Sequence, residues 1–219
     1  GSFDGDAVLE ARETYRGGYA EAMRAGIPKL SSVEFSKSML ERYESLYPGV
    51  TLIEPPRVED DREANVFAML GRYKLPKPVR QSDDGYVIDY DSHIVDGSLG
   101  LPKKIVRSYP LALPRGRYAA RYRLQIQWPD GVRADQAPGV KSVDNPFFTA
   151  RDELTLKGNV LDYMLDYRVK QAVVQAADVP ELQAQSKLLA PYISATFRIN
   201  KEIVSKPEVV AMSLSMREL

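Results

Sequence analysis

Residues Arg117 to Trp128 constrain this chain more than any other stretch. Tyr118, Ala120, Tyr122, Leu124, Ile126 and Trp128 fall on one parity, and Arg117, Arg121, Arg123, Gln125 and Gln127 on the other. A repeat of two over that length is the signature of a strand with one face in a core and one in water, the habit of antiparallel sheets. Pro129-Asp130-Gly131 then turns the chain. A second alternating run follows, in which Leu154 and Leu156 lead into Lys157-Gly158-Asn159, and Leu161, Tyr163, Leu165, Tyr167 and Val169 lead out. Gly158 and Asn159 tolerate the positive φ of a tight turn, so these runs predict a hairpin.

The N-terminal part reads differently. Ala7 to Tyr15 alternates loosely as a strand, and Gly17-Gly18 breaks it. Tyr19, Ala22, Met23, Gly26 and Ile27 recur at the spacing of one helix face, with Pro28 as the stop. Ser31 followed by Glu34 is a capping box opening a second helix, whose buried stripe is predicted as Phe35, Met39, Tyr43, Leu46 and Tyr47 before Pro48-Gly49 ends it. Strands are expected near residues 50–53 and 65–75. Pro76, Pro78 and Ser82-Asp83-Asp84-Gly85 read as a linker or exposed crossover. Late in the chain, Asp178 with Glu181 and Pro180 predicts a helix burying Leu182, Leu188 and Leu189, stopping before Pro191, with a last strand over 192–199.

These elements predict an α+β fold. Residues 1–76 form a small α+β domain with two helices, 77–200 a mainly antiparallel β-sandwich with one helix, and 201–219 a C-terminal tail. Composition narrows the function. The 219 residues carry 30 basic against 30 acidic side chains, so the concentrated basic excess of a nucleic-acid surface is missing. There is no cysteine and one histidine, which excludes thiol nucleophiles, thiolate metal sites and multi-histidine centres. No cofactor is expected. No apolar run approaches the ~20 residues of a membrane span. Gly1-Ser2 reads as the remnant of a removed tag, so the native N-terminus, and any signal peptide, is expected upstream.

Each candidate for chemistry has a plainer reading beside it. His93 lies in Asp89-Tyr90-Asp91-Ser92-His93, near Asp83, Asp84 and Asp96. A serine and a histidine adjacent in sequence point apart, so Ser92 is a poor nucleophile for His93, and a solvated loop is expected. The acids lack the dense spacing of a calcium loop. Glu59-Asp60-Asp61-Arg62 is expected to be a turn before the strand near Asn65, because catalytic carboxylate pairs come from separate segments about 5–9 Å apart. Arg117, Arg121 and Arg123 share an outer face and are the candidate binding surface for an anionic partner. The plainer account of that face is cross-strand pairing with Asp162 and Asp166. The 13 tyrosines against 6 phenylalanines admit an aromatic glycan platform, but Tyr118, Tyr122, Tyr163 and Tyr167 alternate as core residues do.

Tyr15-x-Gly17-x-x-Ala20-Glu21-x-x-Arg24, then Tyr43-x-x-x-Tyr47-Pro48-Gly49, Asp60-Asp61-Arg62-x-x-Asn65 and Arg72-Tyr73-x-Leu75-Pro76 follow in order. This succession resembles the region after the catalytic core in bacterial transglutaminase-like proteins that open with a β-sandwich domain of unknown function. The run from Gly158 to Tyr167 through the Asp178 helix resembles their C-terminal β domain, and the likeness spans about residues 8–199. It implies a non-catalytic accessory region that supports an upstream transglutaminase-like domain of the same chain and offers a surface to protein or peptidoglycan. It also implies export to the periplasm or cell surface. That family's papain-like Cys-His-Asp set has no counterpart here, so no catalytic residue carries over. Among the shared residues, Gly17 is expected to allow a sharp strand-to-helix turn, Ala20 close helix packing, and Arg24 a pairing with Asp60 or Asp61. The alternative is a free-standing cell-envelope module that binds glycans or peptides.

Overall fold

The structure, a computed structural model, describes residues 5–44, 47–92, 94–95, 98–102, 107–114, 116–128 and 137–200. The expectations for Leu46, His93, Asp96, the Pro129-Asp130-Gly131 turn and the tail from 201 lie outside the described residues. The chain divides into two compact units, Ser2–Arg80 and Gln81–Leu219.

In the first unit, β1 (Ala7–Arg16) alternates half-buried and exposed residues along its whole length. It pairs antiparallel with β4 (Val66–Leu75), with Ala7 opposite Leu75 and Arg16 opposite Val66. The other edge of β4 takes β2 (Thr51–Leu52) and β3 (Arg57–Asp61). Directly opposed residues share a face, so Tyr15 and Phe67, Glu13 and Met69, and Leu9 and Tyr73 form one side. Two helices cover that side, α1 (Gly18–Gly26) and α2 (Ser32–Glu44). Ala20, Met39, Phe67 and Met69 are buried there with Tyr15, Met23, Ile27 and Phe35 packed around them. The opposite face is laced by ion pairs: Arg12 with Glu59, Arg72 with Glu10, and Lys74 with Asp6. The Lys74 hydrogen bond holds the Asp6 carboxyl below its ordinary range.

The Ser31–Glu34 capping box forms. The Ser31 backbone N–H donates to Glu34 Oε2 at 2.8 Å and the Glu34 N–H donates to Ser31 Oγ at 3.2 Å. Those bonds keep the Glu34 carboxyl below its ordinary range. Helix α1 differs from its predicted face. Tyr19 is 40% exposed while Ala20 is fully buried, and the packed side runs through Ala20, Met23 and Ile27, with Ala22 and Gly26 exposed. Pro28 sits inside a 3-10 turn, Ile27–Lys29, that extends the helix. The Glu59-Asp60-Asp61 run is a strand, β3, and the turn is Arg62 to Asn65. All five β3 residues are exposed, so no alternation marks it.

The second unit is built on a four-stranded antiparallel sheet ordered β8-β11-β10-β9. These strands are β8 (Tyr118–Gln127), β9 (Gly139–Asp144), β10 (Phe148–Lys157) and β11 (Val160–Val169). The predicted hairpin is β10–β11, closed by Gly158-Asn159 with Lys157 opposite Val160. Its inner face buries Phe148, Ala150, Leu161, Tyr163, Leu165, Tyr167 and Val169 against Leu182, Leu189, Tyr192 and Phe197. Each buried phenylalanine, leucine or valine among them contributes about 1.5–3 kcal/mol on leaving water. A three-stranded sheet joins β5 (Arg80–Ser82), β6 (Gly85–Asp91) and β13 (Ser194–Asn200), and β7 (Leu111–Ala112) pairs with β12 (Val173–Val174). Asp83-Asp84 is thus a hairpin turn between β5 and β6, where a linker or crossover is expected from the sequence.

The late helical segment also departs from expectation. Helix α3 (Val179–Ser186) is followed by a 3-10 turn and by α4 (Ala190–Ile193), with Pro191 in the first turn of α4. Proline is tolerated there because its missing N–H would have no helical partner. Asp178 makes no capping bond to α3. Leu182 and Leu189 are buried, but Leu188 is 48% exposed because the 3-10 turn rotates it outward.

Candidate functional site

Four motif residues of the first unit, Glu21, Asp60, Asp61 and Asn65, converge on Arg24. Its Nε donates to Asp60 Oδ1 at 2.6 Å. Nη1 donates to Glu21 Oε1 at 2.7 Å and Asn65 Oδ1 at 2.6 Å. Nη2 donates to the carbonyls of Asp61 at 3.2 Å and Val66 at 3.3 Å. A guanidinium has five N–H donors, and each of these contacts takes one. The Arg24 side chain is 10% exposed. The hydrogen bond Arg24 donates to Asp60, and the charge of that carboxylate, raise the Arg24 pKa above an already basic value.

Each element delivers its group for a local reason. Arg24 lies on the last turn of α1, which Gly17 starts with φ of 57°, a conformation that strains a residue bearing Cβ. Asp60 stands opposite Phe67, on the helix-facing side of β3. In the turn, Asp61 Oδ1 accepts the Ala64 N–H at 2.9 Å, and Asn65 takes φ of 50°, which asparagine tolerates better than most residues. Arg62 pairs with Asp60 at 3.3 Å from an 82% exposed side chain, and so adds little.

Tyr15 belongs to a neighbouring cluster that sequence reasoning missed. Glu13 points to the helix side of β1, and its Oε2 accepts from the Tyr15 hydroxyl at 2.6 Å and from Arg42 Nη1 at 2.7 Å. Tyr43 donates to Glu13 Oε1 at 3.4 Å. Burial, then the charge of Glu13, push the Tyr15 hydroxyl up to about 12. The only available signal was parity: Glu13 shares the inward set with Ala11 and Tyr15.

The arginine face of the second unit is largely closed by its own sheet. Arg121 grips Asp166 with two bonds, at 2.6 and 3.0 Å. Arg123 grips Asp162 with two, at 2.9 and 2.6 Å, and Gln125 donates to the same carboxylate at 3.2 Å. The Arg123 bonds keep the Asp162 carboxyl below its ordinary range. Arg117 is exposed and lies one residue before β8. Tyr163 and Tyr167 are 4% and 2% exposed, and Tyr122 and Tyr118 meet them edge to face at 6.5 and 6.2 Å. These tyrosines are core.

Ser92 is buried, and its hydroxyl donates to the Tyr192 carbonyl at 2.7 Å, tying β6 to α4. A second inward acid, also missed, is Asp152 on the core side of β10. It is 7% exposed and accepts the Lys141 backbone N–H at 3.1 Å and the Tyr163 hydroxyl at 3.4 Å. Burial, reinforced by the Asp152 charge, raises the Tyr192 pKa. Among the described residues no three histidine, aspartate or glutamate side chains group as a metal site. No helix among them is long and apolar enough to cross a membrane.

Residues 97–190 match a family described as a domain of unknown function with a solved structure, DUF3858. The matched stretch takes in the whole four-stranded sheet and α3 and stops short of β13. The Arg24 hub lies outside it. Comparison with curated proteins and with solved structures returned no significant match. Nothing in these comparisons links the chain to transglutaminase-like proteins.

Proposed function

We propose that this chain is a non-catalytic accessory region of an exported transglutaminase-like protein, holding and supporting a catalytic domain encoded upstream. The observation that carries the proposal is the saturation of Arg24. Glu21, Asp60, Asp61 and Asn65, all among the residues whose order resembles that family, meet Arg24 in a hub in which every guanidinium N–H already has an acceptor. An arginine that works on a substrate keeps donors turned toward it, whereas a saturated one fixes a helix to a strand and its turn. Ser92 fits the same reading, since its hydroxyl is committed to a backbone carbonyl.

In the second unit, Phe197 of β13 meets Tyr163 of β11 at 6.0 Å between ring centroids, which supports two sheets layered as a sandwich. Tyr163 and Tyr167 are buried and so give a glycan platform no surface.

The test is the reading frame upstream of Phe3. The proposal expects a domain with cysteine, histidine and aspartate in papain-like order, and a frame without one overturns it. The purified chain is expected to turn over no peptidase, amidase or glycosidase substrate.

A further inference from the structure

We propose that Arg117 and Arg168 form a carboxylate-binding site for an acidic peptide segment of a partner protein, at one end of the outer face of the β8-β11-β10-β9 sheet. The inference deepens the binding part of the accessory reading and does not depend on which catalytic domain lies upstream.

The argument starts from how this face handles its other charges. Arg121 stands opposite Asp166 and grips it with both arms. Arg123 reaches diagonally to Asp162, which stands opposite Gln125, two residues along on β8. Arg151 on β10 is held by Glu153. At the remaining end Arg168 stands opposite Ala119, the second residue of β8, and Arg117 lies at the bend one residue before that strand, two positions along the chain from Ala119. Where the sheet elsewhere sets arginine beside aspartate, here it sets arginine beside arginine.

Both side chains are exposed, and neither has a hydrogen bond or ion pair among the described residues. The nearest carboxylate in that row is Asp144, across Thr149 and two strands from Arg168, and Lys170 already holds it. Ala119 separates the two, directly across from Arg168 and two residues on from Arg117, so two long guanidinium side chains flank a residue too small to answer either. Two adjacent like charges repel, so a bound anion gains from both. A carboxylate is the chemistry this face already uses to satisfy its arginines.

The experiment measures anisotropy of fluorescein-labelled octaglutamate titrated with the intact chain at low salt. Arg117→Gln/Arg168→Gln is compared with wild type and with Lys29→Gln, which removes an exposed cation elsewhere. Saturable binding that the double variant weakens about five- to tenfold, that Lys29→Gln leaves unchanged, and that octaglutamine does not reproduce is the expected result. Equal weakening by Lys29→Gln, no saturable binding of octaglutamate, or binding only to phosphatidylglycerol vesicles or inorganic phosphate overturns the proposal. An unchanged melting temperature in the double variant assigns the effect to the site. An upstream catalytic domain found while octaglutamate fails to bind leaves the accessory reading standing and removes this site alone.

Discussion

Arg24 Nε donates to Asp60 Oδ1 at 2.6 Å, joining helix α1 to strand β3 across 36 positions of sequence. With Asn65 and the Asp61 and Val66 carbonyls completing the set, one guanidinium orders a helix end, an edge strand and the turn that follows. β3 has no buried side chain of its own, and beside the exposed Arg12–Glu59 pair it is held by this hub and its ladder to β4.

Gly71 sits beneath the ring of Tyr73. A Cβ at Gly71 would lie 2.5 Å from the Tyr73 hydroxyl and 2.7 Å from its ring carbons. Tyr73 is fully buried, packed 4.6 Å from the Tyr43 ring, and its hydroxyl donates to the Met39 carbonyl. The ring therefore has nowhere to go. Gly71→Ala is expected to cost about 1–3 kcal/mol in urea unfolding, as overpacked sites do. A variant as stable as the parent contradicts the packing described.

Asp162 titrates below its ordinary value because Arg123 binds its charged form. A depressed carboxyl contributes stability that is complete above its unfolded pKa and is lost as pH falls through the folded one. Asp162→Asn should therefore cost ~0.2–1 kcal/mol at pH 7, the range of exposed ion pairs. The gap between variant and parent should close as the pH drops below the ordinary value of 3.8. A gap independent of pH contradicts the assignment.

Tyr15 shows the opposite sign. Its hydroxyl is raised to about 12, so the stability it contributes is intact below pH 10 and is lost as pH climbs toward 12. Ultraviolet titration of Tyr15→Phe against the parent isolates this group from the other tyrosines. The difference should ionise near pH 12, and ionisation near the ordinary 10 would show a hydroxyl in water.

Much of this architecture is legible in the sequence, and the exceptions share physical causes. β8 and the β10–β11 hairpin declare themselves because one face is wet and one is packed. β3 is silent because an edge strand with both faces exposed carries no alternation. Pro191 reads as a stop although it lies in the first turn of α4, since a proline that cannot continue one helix is tolerated at the start of the next. Glu13 and Asp152 are hidden because an acid in a strand is read as outward-facing, and only the parity of their neighbours places them inside. The pairing of Arg121 and Arg123 with aspartates is readable from opposed charges. The Arg117–Arg168 juxtaposition needs the β8–β11 register.

The claim on which the rest depends is that the Arg24 motif is a closed structural hub. A double-mutant cycle on Arg24→Met and Asp60→Asn, read as urea midpoints of the intact chain, tests it most directly. Each single variant should lower the midpoint, and the double variant should lose less than the sum of the two. Strict additivity, or an Arg24→Met variant as stable as the parent, would contradict the hub and return Arg24 to the residues free to act on a ligand.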